Sequence, residues 1–182
     1  MTHLAAPILA FSQGEVVVHP AHGVGRVERV IETEIAGERL HVIEIALEEK
    51  QLRALVPLAK AARIGLRRLA SRAELEDACK IAQDRPRISR AVWARRSTEY
   101  MAKINSGQPA LVAEVVRDLG RRADGASYSE RLIFERAVDR LVGELVAAEG
   151  IDRDTARRRL LRERAQRPVV VTVLTEETRA AA

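Results

Sequence analysis

The chain has 182 residues, 47% of them hydrophobic and 31% charged. That is enough to bury one ordinary core or two small ones, and too apolar for a disordered chain. Its longest apolar runs, such as 169–174, fall far short of the roughly 20 residues a membrane-spanning helix needs, while a net charge of +5 and a pI near 10.0 point to an acidic partner.

Residues 1–10 hold one histidine, no Lys or Arg and only a brief apolar patch, so a secretory signal is not expected and a cytoplasmic location is. From residue 15 to 57 the sequence reads as short strands at 16–18, 25–35, 40–46 and 52–56. They are rich in Val, Ile and Leu and separated by turn residues at 20–23 and 36–38. Four or so strands in so short a stretch predict a small, strongly twisted sheet or partial barrel, with exposed edges to which another protein's strand can add.

After Gly65 the periodicity becomes helical. Ser71 followed by Glu74 fits a capping box opening a helix to about Ala82, and residues 84–87, with Pro86 among them, break it. Ser89 is then expected to cap a helix reaching Ile104, closed by Asn105, Ser106 and Gly107. Leu111, Val112, Val115, Val116 and Leu119 share one face of the next helix. A loop follows at 120–127, and Ser127 or Ser129 caps a helix carrying Leu132, Ile133, Val138, Leu141, Val142 and Leu145. Asp152 starts one more, ending in the arginine-rich run 157–167. Residues 168–174 read as a strand without an obvious partner. The expected organisation is α+β, with a β-domain at 1–68, a compact domain of about five helices at 69–165, and a tail at 166–182 that forms a strand or stays mobile.

The four histidines, His3, His19, His22 and His41, and the single cysteine, Cys79, offer no metal-ligand spacing, so neither a metal nor another cofactor is expected. Cys79 reads as a small apolar filler on a helix. Gly23, Val24 and Gly25 complete no nucleotide-binding pattern and read as a tight turn needing glycine dihedrals. With no nucleophile elbow and no clustered carboxylates, nothing in the sequence supports an enzyme.

Charge is not evenly spread. Residues 1–68 hold 9 Lys and Arg against 8 Asp and Glu, whereas residues 69–182 hold 22 against 18, with arginine far outnumbering lysine. One segment, 85–96, contains five arginines (Arg85, Arg87, Arg90, Arg95 and Arg96), no acid, and Trp93, the one tryptophan of the chain. An aromatic among cations can wedge at a base step in the minor groove while arginines fix the phosphate backbone. The same pattern also fits a tryptophan belonging to the helical core under a solvated arginine face. Both readings stand at this point.

Four motifs in order along the chain resemble the CarD/CdnL family of bacterial transcription regulators. The first is Val17-Val18-His19-Pro20-Ala21-His22-Gly23-Val24-Gly25. The second comprises Trp93, Arg95, Arg96, Glu99, Tyr100, Met101, Lys103, Ile104, Ser106 and Gly107, and the others lie at 113–119 and 141–145. The resemblance spans about residues 11–150. It implies a Tudor-like β-domain that binds the RNA polymerase β subunit, and a helical domain that contacts promoter DNA at the upstream edge of the transcription bubble. It also implies that Trp93 acts as a minor-groove wedge, stabilising open complexes at ribosomal RNA and other growth-linked promoters. Arg95 and Arg96, with Arg87, Arg90 and Arg136, are then the expected DNA contacts. Glu34, Arg53, Leu55 and Pro57 are the expected polymerase contacts, and a monomer is expected. The chain departs from the family pattern at His19, usually tyrosine, and at Ser97, commonly aromatic. It departs also at Gly120, often a large side chain, and at Glu34 and Leu55, where some relatives have arginine. A second reading keeps the DNA-anchoring helices but gives the β-domain a different protein partner.

Overall fold

A computed structural model describes residues 11–35, 38–47, 51–87, 89–120 and 126–161. The expected strand at 168–174, most of the loop at 120–127 and the end of the arginine run after residue 161 lie outside these residues.

The fold is α+β: an N-terminal antiparallel sheet followed by helices. The strands are β1 (Val16–His19), β2 (Gly23–Ile35), β3 (Glu38–Leu47), β4 (Leu52–Pro57) and β5 (Arg67–Arg68), and they lie in the order β4-β3-β2-β1-β5. The sheet is open, with β4 and β5 at its two edges. β5 escaped the sequence reading because two consecutive arginines carry no apolar alternation; pairing with Val17 and Val18 of β1 makes it a strand. A bulge at Val27–Arg29 shifts the β2–β3 register.

Side chains on alternate faces divide the sheet's environment. Val17, Val27, Ile43, Ile45 and Val56 point into a core completed by Phe11, Leu47, Ala61 and Leu66. A short helix, α1 (Leu58–Ala61), follows β4 and supplies Ala61. Val17 and Val18 are both buried, so β1 is covered on both faces. The two glycines of the β1–β2 turn have different reasons to be glycine. Gly23 has φ +93°, where a side chain is strained, whereas a Cβ on Gly25 would stand 2.6 Å from Ile45 Cγ2 and 2.8 Å from the Ala46 carbonyl.

Five longer helices form the second half: α2 (Arg72–Gln83), α3 (Trp93–Asn105), α4 (Pro109–Leu119), α5 (Tyr128–Glu149) and α6 (Arg153–Leu161). Ser71 with Glu74, and Ser127 with Glu130, form complete capping boxes. Gly150, at φ +70°, ends α5. The helices meet around Leu75, Ile104, Val112, Val115, Val138, Leu141, Leu145 and Leu160, with Cys79 as a buried filler. Among the described residues no helix is long and apolar enough to cross a membrane.

The expected Ser89 cap is not there. The Ser89 hydroxyl accepts the Ala91 N–H in a local turn. α3 begins four residues later, at Trp93, behind Val92 in an extended conformation.

α5 is the spine of the molecule. At 22 residues it is about 33 Å long. Its first turn touches α3, and its second half packs on β2 and the β1–β2 turn. Arg67 of β5 closes the same seam. It donates through Nε to the Gly107 carbonyl at 2.8 Å and through Nη2 to Glu144 Oε1 at 2.6 Å. Glu144 is 3% exposed, and burial pushes its carboxyl up from the ordinary value while Arg67 opposes the shift.

Candidate functional site

Two surfaces carry the residues singled out by the sequence. The first surrounds the start of α3. Trp93 is half-buried: it packs on the helical core beside Tyr100, with ring centroids 6.4 Å apart and planes tilted by 51°. The indole is therefore neither sealed in the core nor free of it. The Arg96 guanidinium lies over the ring, 5.2 Å from its centroid. Arg96 is turned inward, at 9% exposure, with Nη2 3.6 Å from Glu130 Oε1. Glu130 is itself fixed by the capping box with Ser127.

Arg96 thus differs in exposure from the other arginines of the segment: the i, i+3 spacing that places it beside Trp93 also turns it toward α5. Its Nε is buried without a hydrogen-bond partner among the described residues, a cost that the stacking and the Glu130 pairing offset.

Arg87, Arg90 and Arg95 are exposed. Arg95 pairs with Glu99 at 3.1 Å and Arg87 with Asp84 at 3.4 Å. The segment that lacks acids in sequence thus acquires them in space. Exposed pairs of this kind are weak and give way to a phosphate at little cost. Val92, 73% exposed, extends the apolar surface beside Trp93.

Behind this face lie residues that the sequence reading passed over. Asp118, buried on α4, accepts the Arg87 backbone N–H at 2.9 Å and the Arg117 Nε–H at 2.8 Å, and so ties the arginine segment to the core. That hydrogen bond raises the Arg117 guanidinium above its ordinary value. Lys103 on α3 pairs with Glu114 on α4 at 2.7 Å. No signal in the sequence marked them, since Glu114, Arg117 and Asp118 lie off the face formed by Leu111, Val112, Val115, Val116 and Leu119 and read as its solvated side.

Arg136 lies apart from these, on α5 six residues beyond Glu130 and exposed. The structure does not bring it into the Trp93 cluster.

The second surface is the β4 edge. Arg53, Leu55 and Pro57 alternate along β4 on the face opposite the core residues Ala54 and Val56. Leu55 is 63% exposed and stands opposite Glu44 of β3. Glu44 is nearly buried between Arg29, at 2.5 Å, and Arg53, at 3.7 Å; Arg53 also reaches Glu28 at 3.2 Å. Glu34 is not part of this row. It sits on the β2–β3 hairpin opposite Arg39, beyond the Val42–Pro57 pair where β4 ends.

His19 and His22 stack with centroids 4.7 Å apart, and His19 Nδ1 accepts the Ala21 N–H, so the pair braces the β1–β2 turn. Phe134 lies 3.4 Å from where a Cβ on Gly120 would be, so it fills the space that a larger residue there would use.

Comparison with known proteins matches both halves in order. The family description "CarD-like/TRCF RID domain" matches residues 11–70, and "CarD, C-terminal domain" matches residues 77–161. A protein of Bacillus subtilis (strain 168) named "Putative transcription factor YdeB" is 27% identical over 143 residues, which cover 78% of this chain and 94% of that protein. The two matches take in the whole sheet, α2 from residue 77 onward and the four helices after it, and the chain belongs to the CarD/CdnL family of transcription regulators.

Proposed function

We propose that this chain regulates transcription without chemistry of its own, as a tether with two ends. Residues 1–68 hold the β subunit of RNA polymerase, and residues 69–165 hold promoter DNA at the upstream edge of the bubble. Trp93 wedges in the minor groove there and slows bubble collapse, while Arg87, Arg90 and Arg95 neutralise flanking phosphates.

The observation that carries this reading is the way Trp93 is held. A tryptophan that served only the core would be buried throughout; one that served nothing would be loose. This indole keeps part of its surface accessible, yet is held by contacts with Tyr100 and Arg96. Such preorganisation lets an aromatic group enter a base step without losing rotamer freedom on binding. Arg96 contributes by positioning the indole. Its pairing with Glu130 leaves it poorly placed to reach a phosphate.

Minor-groove and phosphate contacts carry little base information, so promoter choice follows from the position of polymerase and the kinetics of the bubble. The protein is then a cytoplasmic monomer acting largely independently of DNA sequence. The family description of residues 11–70 names a domain of the CarD-like/TRCF type, which favours polymerase as the partner of the sheet.

The test is open-complex lifetime on a linear promoter with purified polymerase. Trp93→Ala should shorten the lifetime about tenfold, equivalent to about 1.4 kcal/mol of lost contact, with the fold retained in a thermal melt. An unchanged lifetime with a folded variant would refute the wedge.

A second reading, a different protein partner for the sheet, draws on the exposed Leu55 and Glu34, where the family resemblance leads to the expectation of arginine. Capture of the polymerase β subunit by the full-length chain distinguishes the two, since only the first reading predicts it.

A further inference from the structure

At the seam between sheet and helices, a cavity of about 200 Å³ opens between the β1–β2 turn and the facing sides of α5 and α6. His22 and Gly23 line it from the turn, Arg136, Asp139 and Arg140 from α5, and Arg153 from the start of α6. Among the described residues, three arginines therefore line one small space with a single acidic residue. That carboxylate is already engaged, since Asp139 Oδ1 accepts from Arg153 at 3.2 Å.

The arrangement is costly as it stands. Arg136 and Arg140 are one helical turn apart, where like charges repel. Arg140 is only partly accessible, and its Nη1 donates to the His19 carbonyl at 3.2 Å. Glu144, one helical turn further along α5, is taken by Arg67. Burial and the proximity of Arg136 together pull the Arg140 guanidinium below its ordinary value. Arg136 has no carboxylate within salt-bridge distance among the described residues. The turn is shaped to allow this crowding: a Cβ on Gly23 would lie 3.1 Å from Arg140 Nη1, so glycine lets the loop close over the cation.

We propose that this seam cavity is a binding site for a phosphate-type oxyanion, held by Arg136 and Arg140 with Arg153 and His22 at its rim. A doubly charged oxyanion would offset the surplus of positive charge, and guanidinium groups suit it in geometry as well as sign. The cavity is smaller than the ~300 Å³ and upward typical of pockets that enclose a drug-sized ligand. It accommodates the anionic group and leaves the remainder of the ligand outside. Two sources share this chemistry: a phosphate of the DNA backbone, and a free phosphate-bearing small molecule. Arg140 lies ten residues beyond Glu130, about 15 Å along α5, so the site is separate from the Trp93 cluster and does not depend on the wedge.

The experiment titrates the full-length protein with pyrophosphate at fixed ionic strength, read by calorimetry and by thermal melting. Saturable binding with a raised melting temperature is expected for the unmodified chain. Binding weakens about tenfold in Arg140→Gln and in Arg136→Gln. Arg131→Gln, an exposed arginine of the same helix outside the cavity, should bind like the unmodified chain. Because Arg140 is partly buried, Arg136→Gln keeps the test readable if Arg140→Gln does not fold. If DNA is the source, pyrophosphate competes with a duplex, and Arg136→Gln lowers the salt dependence of duplex binding by about one phosphate contact. If a free ligand is the source, saturating pyrophosphate leaves duplex binding unchanged. Absence of saturable binding, or equal binding by Arg136→Gln and Arg131→Gln, overturns the proposal. Trp93→Ala separates it from the wedge, since that variant should bind pyrophosphate normally whatever it does to open complexes.

Discussion

The β4 edge and the start of α3 both present apolar groups to solvent, but what stands behind them differs. Leu55 projects from an edge strand with no further strand beside it among the described residues, and the strand offers a partner a row of backbone N–H and C=O groups. Trp93 is held by side chains, namely Tyr100, Arg96 and, through Arg96, Glu130 of another helix. A surface read through its backbone tolerates changes of side chain. A change of side chain at Leu55 therefore leaves the edge itself in place. A surface built from interlocked side chains has no such freedom.

The largest effect should come from the seam that joins the two regions. Glu144→Ala leaves Arg67 partly buried without its partner. Breaking such a pair costs about 3 kcal/mol at full burial, and the residual exposure of Arg67 brings this nearer to about 2, measurable by denaturant unfolding. If the variant is as stable as the parent, the two halves are not tied through this pair. Glu130→Ala removes the N3 half of the capping box, leaving Ser127 in place, together with the partner of Arg96, and should cost about 1 kcal/mol. Its diagnostic is Trp93 fluorescence, which should shift to the red as the indole is released; an unshifted spectrum would mean that Arg96 and Glu130 do not position it.

Arginine substitutions sharpen the contrast within the proposed DNA face. Arg90→Gln should lower the salt slope of duplex binding by about one unit. Arg96→Gln should leave that slope unchanged and lower affinity through the indole instead. Equal slopes for the two variants would return Arg96 to the phosphate contacts. On the sheet, Leu55→Asp should leave stability within about 0.5 kcal/mol, because the side chain is exposed, while weakening capture of the polymerase β subunit.

The smallest effect is one of pH. The Glu144 carboxyl in the folded state lies above its ordinary value near 4.5, so the folded chain binds more protons than the unfolded one in the window just above that value. Stability attributable to this group is therefore present below pH 4.5 and is lost as pH rises through the folded value. Melting of Glu144→Gln, which cannot ionise, should lack this decline, and parallel pH profiles for the two proteins would contradict the assignment.

Much of the fold was legible in the sequence, for identifiable reasons. The strands of the first half and the capping boxes at Ser71 and Ser127 are local signals, written within a few residues. The Ser89 cap failed because the same local rule has two outcomes: a serine side chain can satisfy a turn as readily as a helix end. β5 was invisible because its strand character comes from pairing with β1 and not from its own composition.

The site was readable in part. Composition picked out the arginine segment and its tryptophan. That Arg96 turns inward depends on Glu130, 34 positions later, and that Asp118 anchors Arg87 depends on a contact across 31 positions. Periodicity along one segment carries no information of this kind. Nor could it show that Arg136 and Arg140 gather with Arg153 under the β1–β2 turn, because those residues become neighbours only when the seam closes.

That seam has a mechanical consequence. Arg67 bridges β5 to Gly107 and Glu144, and Arg140 bridges α5 to the β1–β2 turn, so the halves are pinned at more than one point and cannot swivel about a single joint. The molecule behaves as a caliper with a set opening: the spacing between the edge strand and the indole exists before any partner arrives. On the proposed reading, once one jaw is seated the other is already at the right reach, and the second contact would form at a high effective concentration without the entropy loss that a flexible connector would impose.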